Sequence, residues 1–202
     1  MQDKAIFLDK DGTLVRDVPY NVDPGLIQLY PATGKALQRL SRAGYRLLVI
    51  SNQSGVAKGY FEEAALTAVE VRLQVLLRPY GVSLDGFYYC PHHPTGNVPG
   101  YAITCACRKP EPGMLVRAAH DHDLDLGACW MIGDILNDVE AGNRAGCRTI
   151  LLDHGNETEW VPGPLRIPTY RAKSLDEATN FILNTVPSAT GPLNKLSPCS
   201  AS

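Results

Sequence analysis

No stretch of the 202-residue chain approaches the roughly 20 consecutive apolar residues that a membrane-spanning helix needs, and no segment repeats. A dense basic run is missing as well: 19 Lys and Arg stand against 21 Asp and Glu, a net charge of -2. Neither nucleic acid nor a membrane surface is an expected partner for such a chain. Met1-Gln2-Asp3-Lys4-Ala5 leads straight into an apolar run, without the form of a signal peptide or a cleavage site, so a cytoplasmic location is expected. From Pro187 onward large apolar residues are scarce and Ser, Pro, Thr and Ala dominate. Residues 187–202 are therefore expected to be a flexible tail on one folded domain of residues 1–186, acting as a monomer.

What is present is 45% hydrophobic residues, enough for one substantial core. They fall in short runs alternating with helix-length amphipathic segments, the pattern of a Rossmann-like α/β fold in which helices cover both faces of a parallel sheet. Strands are expected at Ala5–Leu8, Arg46–Ser51, Gly86–Cys90, Cys129–Ile132 and Thr149–Leu152. Helices are expected at Thr33–Ala43, Glu62–Tyr80, Gly113–His122, Asn137–Ala145 and Leu175–Asn184, three of them stopped by Gly44, Gly81 and Gly146. Two interruptions, Tyr20–Tyr30 and Pro91–Cys107, are rich in Pro, Gly, Asn and His and read as long functional loops.

Polar residues cluster at the expected carboxyl ends of the strands, where an open parallel sheet binds its ligands. The first strand ends in Asp9-Lys10-Asp11-Gly12-Thr13-Leu14. Two carboxylates at i and i+2 can converge on one ligand, as nucleophile and general acid/base, although Asp and Gly in this pattern also make ordinary turns. The second is followed by Ser51-Asn52-Gln53-Ser54-Gly55, whose hydroxyl and amide could bind phosphate oxygens or simply cap a helix. Cys107-Arg108-Lys109-Pro110 puts two cations before a helix, suited to a phosphate dianion. The fourth strand ends in Gly133-Asp134-Ile135-Leu136-Asn137-Asp138. If Asp9 and Asp134 lie side by side, a hard divalent cation, magnesium, is the simplest relief of their repulsion.

These four segments, in this order, resemble the motifs of the haloacid dehalogenase (HAD) superfamily. The resemblance implies a magnesium-dependent phosphatase. Asp9 would attack phosphorus, and Asp11 would protonate the leaving oxygen and later deprotonate water. Ser51 and Lys109 would hold the phosphoryl group. Magnesium would bind Asp9, the backbone carbonyl of Asp11, and Asp134.

Cys90-Pro91-His92-His93 and Cys105-Ala106-Cys107 offer three thiolates and an imidazole, the ligand set of a closed tetrahedral zinc site. Cys90, His92, Cys105 and Cys107 are the expected ligands, with His93 as a substitute for His92. Cys129 and Cys147 read as small core residues, and Cys199 lies in the tail. A CPHH…CxCRKP loop within this framework resembles the heptose-1,7-bisphosphate 7-phosphatases and the related histidinol-phosphate phosphatase domains, over about Lys4 to Leu183. That resemblance implies a HAD fold without a large cap domain, and a small sugar phosphate as substrate. Asp17–Tyr30 and the zinc loop would form the pocket walls, and Ser51, Asn52, Arg108 and Lys109 would bind the substrate. A heptose bisphosphate is favoured, since the zinc loop holds no acidic residue to meet a cationic amine. Histidinol phosphate is the alternative. A zinc-stabilised module without catalysis is opposed by intact Asp9, Asp11, Lys109 and Asp134, and a polynucleotide end-phosphatase by the absence of a basic groove.

Overall fold

The computed structural model describes residues 3–158 and 160–185. Six parallel strands, β1 (Lys4–Leu8), β2 (Tyr45–Asn52), β3 (Gly86–Cys90), β4 (Trp130–Gly133), β5 (Arg148–Leu152) and β6 (Tyr170–Ala172), form one sheet in the order β3-β2-β1-β4-β5-β6. Five match the sequence expectation. The sixth was not foreseen: β6 has three residues and pairs only with β5, too short for its alternation to stand out.

Central strands are apolar on both faces because both faces are covered. Along β1, Ile6 and Leu8 point to one layer and Ala5 and Phe7 to the other. The first layer is closed by α1 (Thr33–Arg42), α3 (Leu66–Leu77) and α6 (Leu175–Thr185) through Leu37, Leu40, Leu73, Leu77, Ala178 and Ile182. The second is closed by α4 (Gly113–Asp121) and α5 (Leu136–Ala145) through Leu115, Ala118 and Ala141. Each of the larger of these side chains contributes roughly 1.5–3 kcal/mol by its burial.

One helix departs from its expected boundaries, and one helical turn was not foreseen. The helix expected over Glu62–Tyr80 is α-helical only at Leu66–Leu77, with 3-10 turns at Glu63–Ala65 and Arg78–Tyr80. Pro79 lacks the N–H needed to continue the α-helical ladder. After β2, Gly55–Lys58 forms a single helical turn, α2. The expectation of a flexible tail at residues 187–202, with Cys199, falls outside the described residues.

Strand order reverses between β1 and β4, since β2 and β3 extend the sheet one way from β1 and β4, β5 and β6 the other. The loops leaving the two strands part there and open a crevice at their carboxyl ends. Asp9 and Asp134 flank it.

Candidate active site

The N–H of Asp9 still donates to the Ile132 carbonyl at 2.9 Å, carrying the β1–β4 ladder one residue past β1. This sets Asp9 beside Asp134. Beyond it the chain curls back, the Lys10 carbonyl accepting from Leu14 N–H at 3.0 Å and Val15 N–H at 3.1 Å. Gly12 has φ +81°, and a side chain there would strike the Asp134 carboxylate, so both the turn and the close approach require glycine. A side chain at Gly133 would likewise collide with Asp138, in the first turn of α5.

Lys109, 2% exposed, reaches in from the loop before α4. Its Nζ lies 2.5 Å from Asp9 Oδ1, 2.5 Å from Asp138 Oδ1, and 2.9 Å from the Ile50 carbonyl to which it donates. Its backbone is fixed by Asn52, whose Oδ1 accepts from Lys109 N–H at 3.0 Å while its Nδ2 donates to the Lys109 carbonyl at 3.0 Å. Both ends of the Asn52 amide are thus engaged with Lys109. Ser51 Oγ, buried at the end of β2, accepts from Gln53 Nε2 at 2.8 Å. Asp11 pairs with the buried Lys10 at 2.5 Å. Asp134 accepts from Thr13 Oγ1 at 3.3 Å on Oδ1 and from Asn156 Nδ2 at 2.7 Å on Oδ2.

Together these residues line a cavity of about 220 Å³ bounded by Asp9, Asp11, Asp17, Ser51, Asn52, Lys109, Asp134, Ile135 and Asn156. A larger groove of about 650 Å³ between Trp160 and Arg171 is mostly apolar and has no such convergence of charge. The predicted residues Asp9, Asp11, Ser51, Asn52, Lys109 and Asp134 are therefore brought together. Arg108 is not among the lining residues. Its guanidinium donates to the His92 carbonyl at 3.3 Å, so it braces the cysteine loop beside the cavity.

The electrostatics are dominated by burial. It pushes the Asp9 carboxyl well above its usual range; Lys109 opposes this, while Asp138, Asp134 and Asp11 add to it. Asp134 is raised to about 7 by burial and by Asp138, against the Asn156 hydrogen bond and Lys109. Burial works against the Lys109 charge, but Asp138 and Asp9 outweigh it and raise its pKa. Oxygens of Asp9, Asp134 and Asp138 lie within 4.8 Å of one another around this one ammonium. With all three carboxylates ionised, one lysine would leave a charge of -2 in a buried site, which is why burial raises the pKa values of Asp9 and Asp134 in the absence of a cation. An all-oxygen donor set with that excess fits a hard divalent cation. Asp138, fully buried, joins Asp9 and Asp134 as a third candidate ligand.

A second cluster lies at the end of β3. Sγ–Sγ distances are 3.5 Å for Cys90–Cys105, 3.1 Å for Cys105–Cys107 and 3.1 Å for Cys107–Cys90, and His92 Nδ1 lies 3.7 Å from Cys90 Sγ and 3.5 Å from Cys107 Sγ. All are too long for a disulfide, whose bond is about 2.05 Å. They approach the edges of a tetrahedron, about 3.8 Å between thiolates, that follow from metal–sulfur bonds of about 2.3 Å. His93 turns away, its Nδ1 facing Thr95 Oγ1 at 3.0 Å, which leaves His92 as the imidazole of the cluster. Burial works against the Cys105 thiolate, but hydrogen bonds from Cys107, Cys90 and the Arg108 backbone bring its pKa down to about 7. The four residues can hold a thiophilic metal.

Sequence reasoning missed His154 and Asn156. They follow β5, at the same strand-end position that singled out Asp9 and Asp134, but no recurring motif marks them.

A HAD-hydrolase-like family model matches residues 106–178. The D-glycero-beta-D-manno-heptose-1,7-bisphosphate 7-phosphatase of Haemophilus ducreyi is 42% identical over 188 residues, covering 93% of this chain and 98% of that protein. The Escherichia coli K12 protein of the same name is 40% identical over 166 residues, 78% of this chain and 87% of the relative. The D,D-heptose 1,7-bisphosphate phosphatase of B. bronchiseptica, in complex with magnesium and phosphate, has a TM-score of 0.73 at 30% identity, covering 91% of this chain and 99% of that one.

Proposed function

The chain belongs to the D-glycero-beta-D-manno-heptose-1,7-bisphosphate 7-phosphatase family of HAD-like hydrolases, and from that premise we propose that it removes the 7-phosphate of a heptose 1,7-bisphosphate through an aspartyl-phosphate on Asp9. It is a phosphoric monoester hydrolase of sugar metabolism. The observation that carries the mechanism is the Asp9 carboxylate gripped by Lys109 at the point where strand order reverses, with Asp11 two residues on.

Asp9 attacks phosphorus with one carboxylate oxygen while Lys109 holds the other. Asp11 gives its proton to the departing sugar oxygen. It then takes a proton from the water that attacks the acyl-phosphate, releasing inorganic phosphate and restoring Asp9. Ser51 and Lys109 bind the phosphoryl oxygens, and Asn52 serves by fixing the Lys109 backbone. Magnesium would be held by Asp9, Asp134, Asp138 and the Asp11 carbonyl, and would supply charge neutralisation and Lewis acidity. Uncatalysed phosphate-monoester hydrolysis is slow enough that acceleration can reach about 10²¹-fold, on the order of 28 kcal/mol. No single group supplies that, hence the division of labour.

Zinc is the proposed metal of Cys90, His92, Cys105 and Cys107, with a structural role. The cavity, about 220 Å³, is below the ~300–1,000 Å³ of most ligand pockets, so it encloses the reacting phosphoryl group and leaves much of the sugar outside. That part of the substrate lies against the first loop and the cysteine loop. Lys58, whose Nζ meets Tyr20 OH at 2.5 Å, and Arg108 provide cations there for the 1-phosphate. Residues 1–186 are read as one phosphatase domain, acting as a cytoplasmic monomer. Among the described residues no helix is long and apolar enough to cross a membrane.

One observation favours the histidinol phosphate alternative: Asp17 lines the cavity and could face an amine. Steady-state kinetics on both substrates separate the two. The heptose bisphosphate is expected to have a kcat/KM at least about a hundredfold higher, nearly 3 kcal/mol in transition-state binding. Equal efficiency would reassign the substrate.

A further inference from the structure

Asp153–Thr158, the segment leaving β5, belongs to none of the four motifs, yet three of its side chains reach the catalytic strand ends. Because β5 pairs with β4, its carboxyl end opens directly over Asp134. Asn156 lines the catalytic cavity and donates from Nδ2 to Asp134 Oδ2 at 2.7 Å. His154 Nε2 lies 2.8 Å from the Gly12 carbonyl, which can only accept, so Nε2 carries the proton, and its ring lies tilted against that of Tyr30, 5.3 Å between centroids. Glu157 Oε2 accepts from the N–H of Leu136 at 2.7 Å, capping the helix that carries Asp138.

These contacts meet the site from one side. Asp134 is gripped at both oxygens, by Thr13 from the β1 loop and by Asn156 from the β5 loop, and the turn carrying Asp11 is tied down through Gly12. We propose that Asn156 is a positioning residue for the magnesium site: it fixes the rotation of the Asp134 carboxylate so that the ligand oxygens of Asp9, Asp134 and Asp138 converge before the cation arrives. The inference rests on the magnesium reading given under Proposed function. Outer-shell partners of this kind orient ligands, and their loss generally costs 10–100-fold in metal affinity.

The test is calorimetric titration of magnesium into protein stripped of magnesium but retaining the cysteine-bound metal. Asn156→Ala is expected to raise the magnesium Kd about tenfold or more, with the melting temperature of the magnesium-free protein unchanged. A Kd within about twofold of wild type would overturn the proposal. Asn156→Asp, nearly isosteric, covers the case in which the alanine variant folds poorly. Because it also adds a negative charge that attracts a cation whatever the geometry, it is read beside Asn156→Leu, which removes the donor without adding charge and should weaken magnesium about as much as alanine; a leucine variant with wild-type affinity would overturn the proposal. Wild-type protein that binds no magnesium at all would remove the metal reading itself, and the inference with it.

Discussion

Lys109 is an ammonium buried between two carboxylates, fixed at its backbone by Asn52 and at its Nζ by Asp9, Asp138 and Ile50. Removing one member of such a buried set generally costs about 3–5 kcal/mol, because the remaining charges are left uncompensated. The balance is already negative, and Asp134 retains its proton up to about 7 in the folded chain, against 3.8 ordinarily, through burial and Asp138. A raised folded pKa means that between those values the folded, magnesium-free protein binds more protons than the unfolded chain, so its stability falls as pH rises through that window. Magnesium must displace that proton. Its apparent affinity is therefore expected to rise from pH 5 to pH 7, by up to about tenfold per unit for each carboxyl proton displaced. Calorimetry in buffers of different ionisation enthalpy counts the released proton. A pH-independent affinity with no proton release would contradict the assigned burial of the carboxylates. Asp9, Asp11, Lys109 and Asp134 were legible in the sequence because their motifs sit at strand ends. Asn52 was legible as a residue of the site, but its bonds to the Lys109 backbone were not, since they join positions 57 apart along the chain.

Among the elements, the segment from Cys90 to Lys109 joins the Cys/His cluster to the lysine proposed for catalysis. It was legible because Cys and His at this spacing have few other uses in a polar loop. What the sequence left open, His92 or His93, is decided by backbone geometry, which turns His93 toward Thr95. Cys107 immediately precedes Arg108 and Lys109, yet Lys109 is also held by Asn52. Losing one thiolate should therefore loosen Arg108 more than Lys109. Cys107→Ser is expected to lose the zinc proposed there, melt at a lower temperature and raise KM about tenfold while kcat changes only a few-fold. Metal analysis, thermal melts and steady-state kinetics check this, and unchanged melting temperature and KM would show that something else organises the loop. The helix expected over Glu62–Tyr80 stops short at its carboxyl end for a local reason: the apolar period extends into Pro79, where the α-helical ladder cannot.

For the whole molecule, the α/β class follows from alternating apolar runs, but strand order does not. Sequence patterning marks which runs are strands and is nearly silent about which of them are neighbours. The order β3-β2-β1-β4-β5-β6 is what brings Asp9 beside Asp134 and hangs the β5 loop over both. It also explains why His154 and Asn156 escaped notice, since only that adjacency gives them a role. Lys58, Tyr20 and Arg108 lie outside the small cavity, as an extended bisphosphate with one end at Asp9 requires. The central claim, that Asp9 accepts the 7-phosphoryl group of a heptose 1,7-bisphosphate, is tested most directly by following that substrate by phosphorus NMR with wild-type protein and Asp9→Asn. Wild type should lose the 7-phosphate resonance as inorganic phosphate appears, with the anomeric 1-phosphate retained, and Asp9→Asn should be slower by at least about 10³-fold. Release of the 1-phosphate first, or an Asp9→Asn variant that keeps a tenth of the wild-type rate, would contradict it.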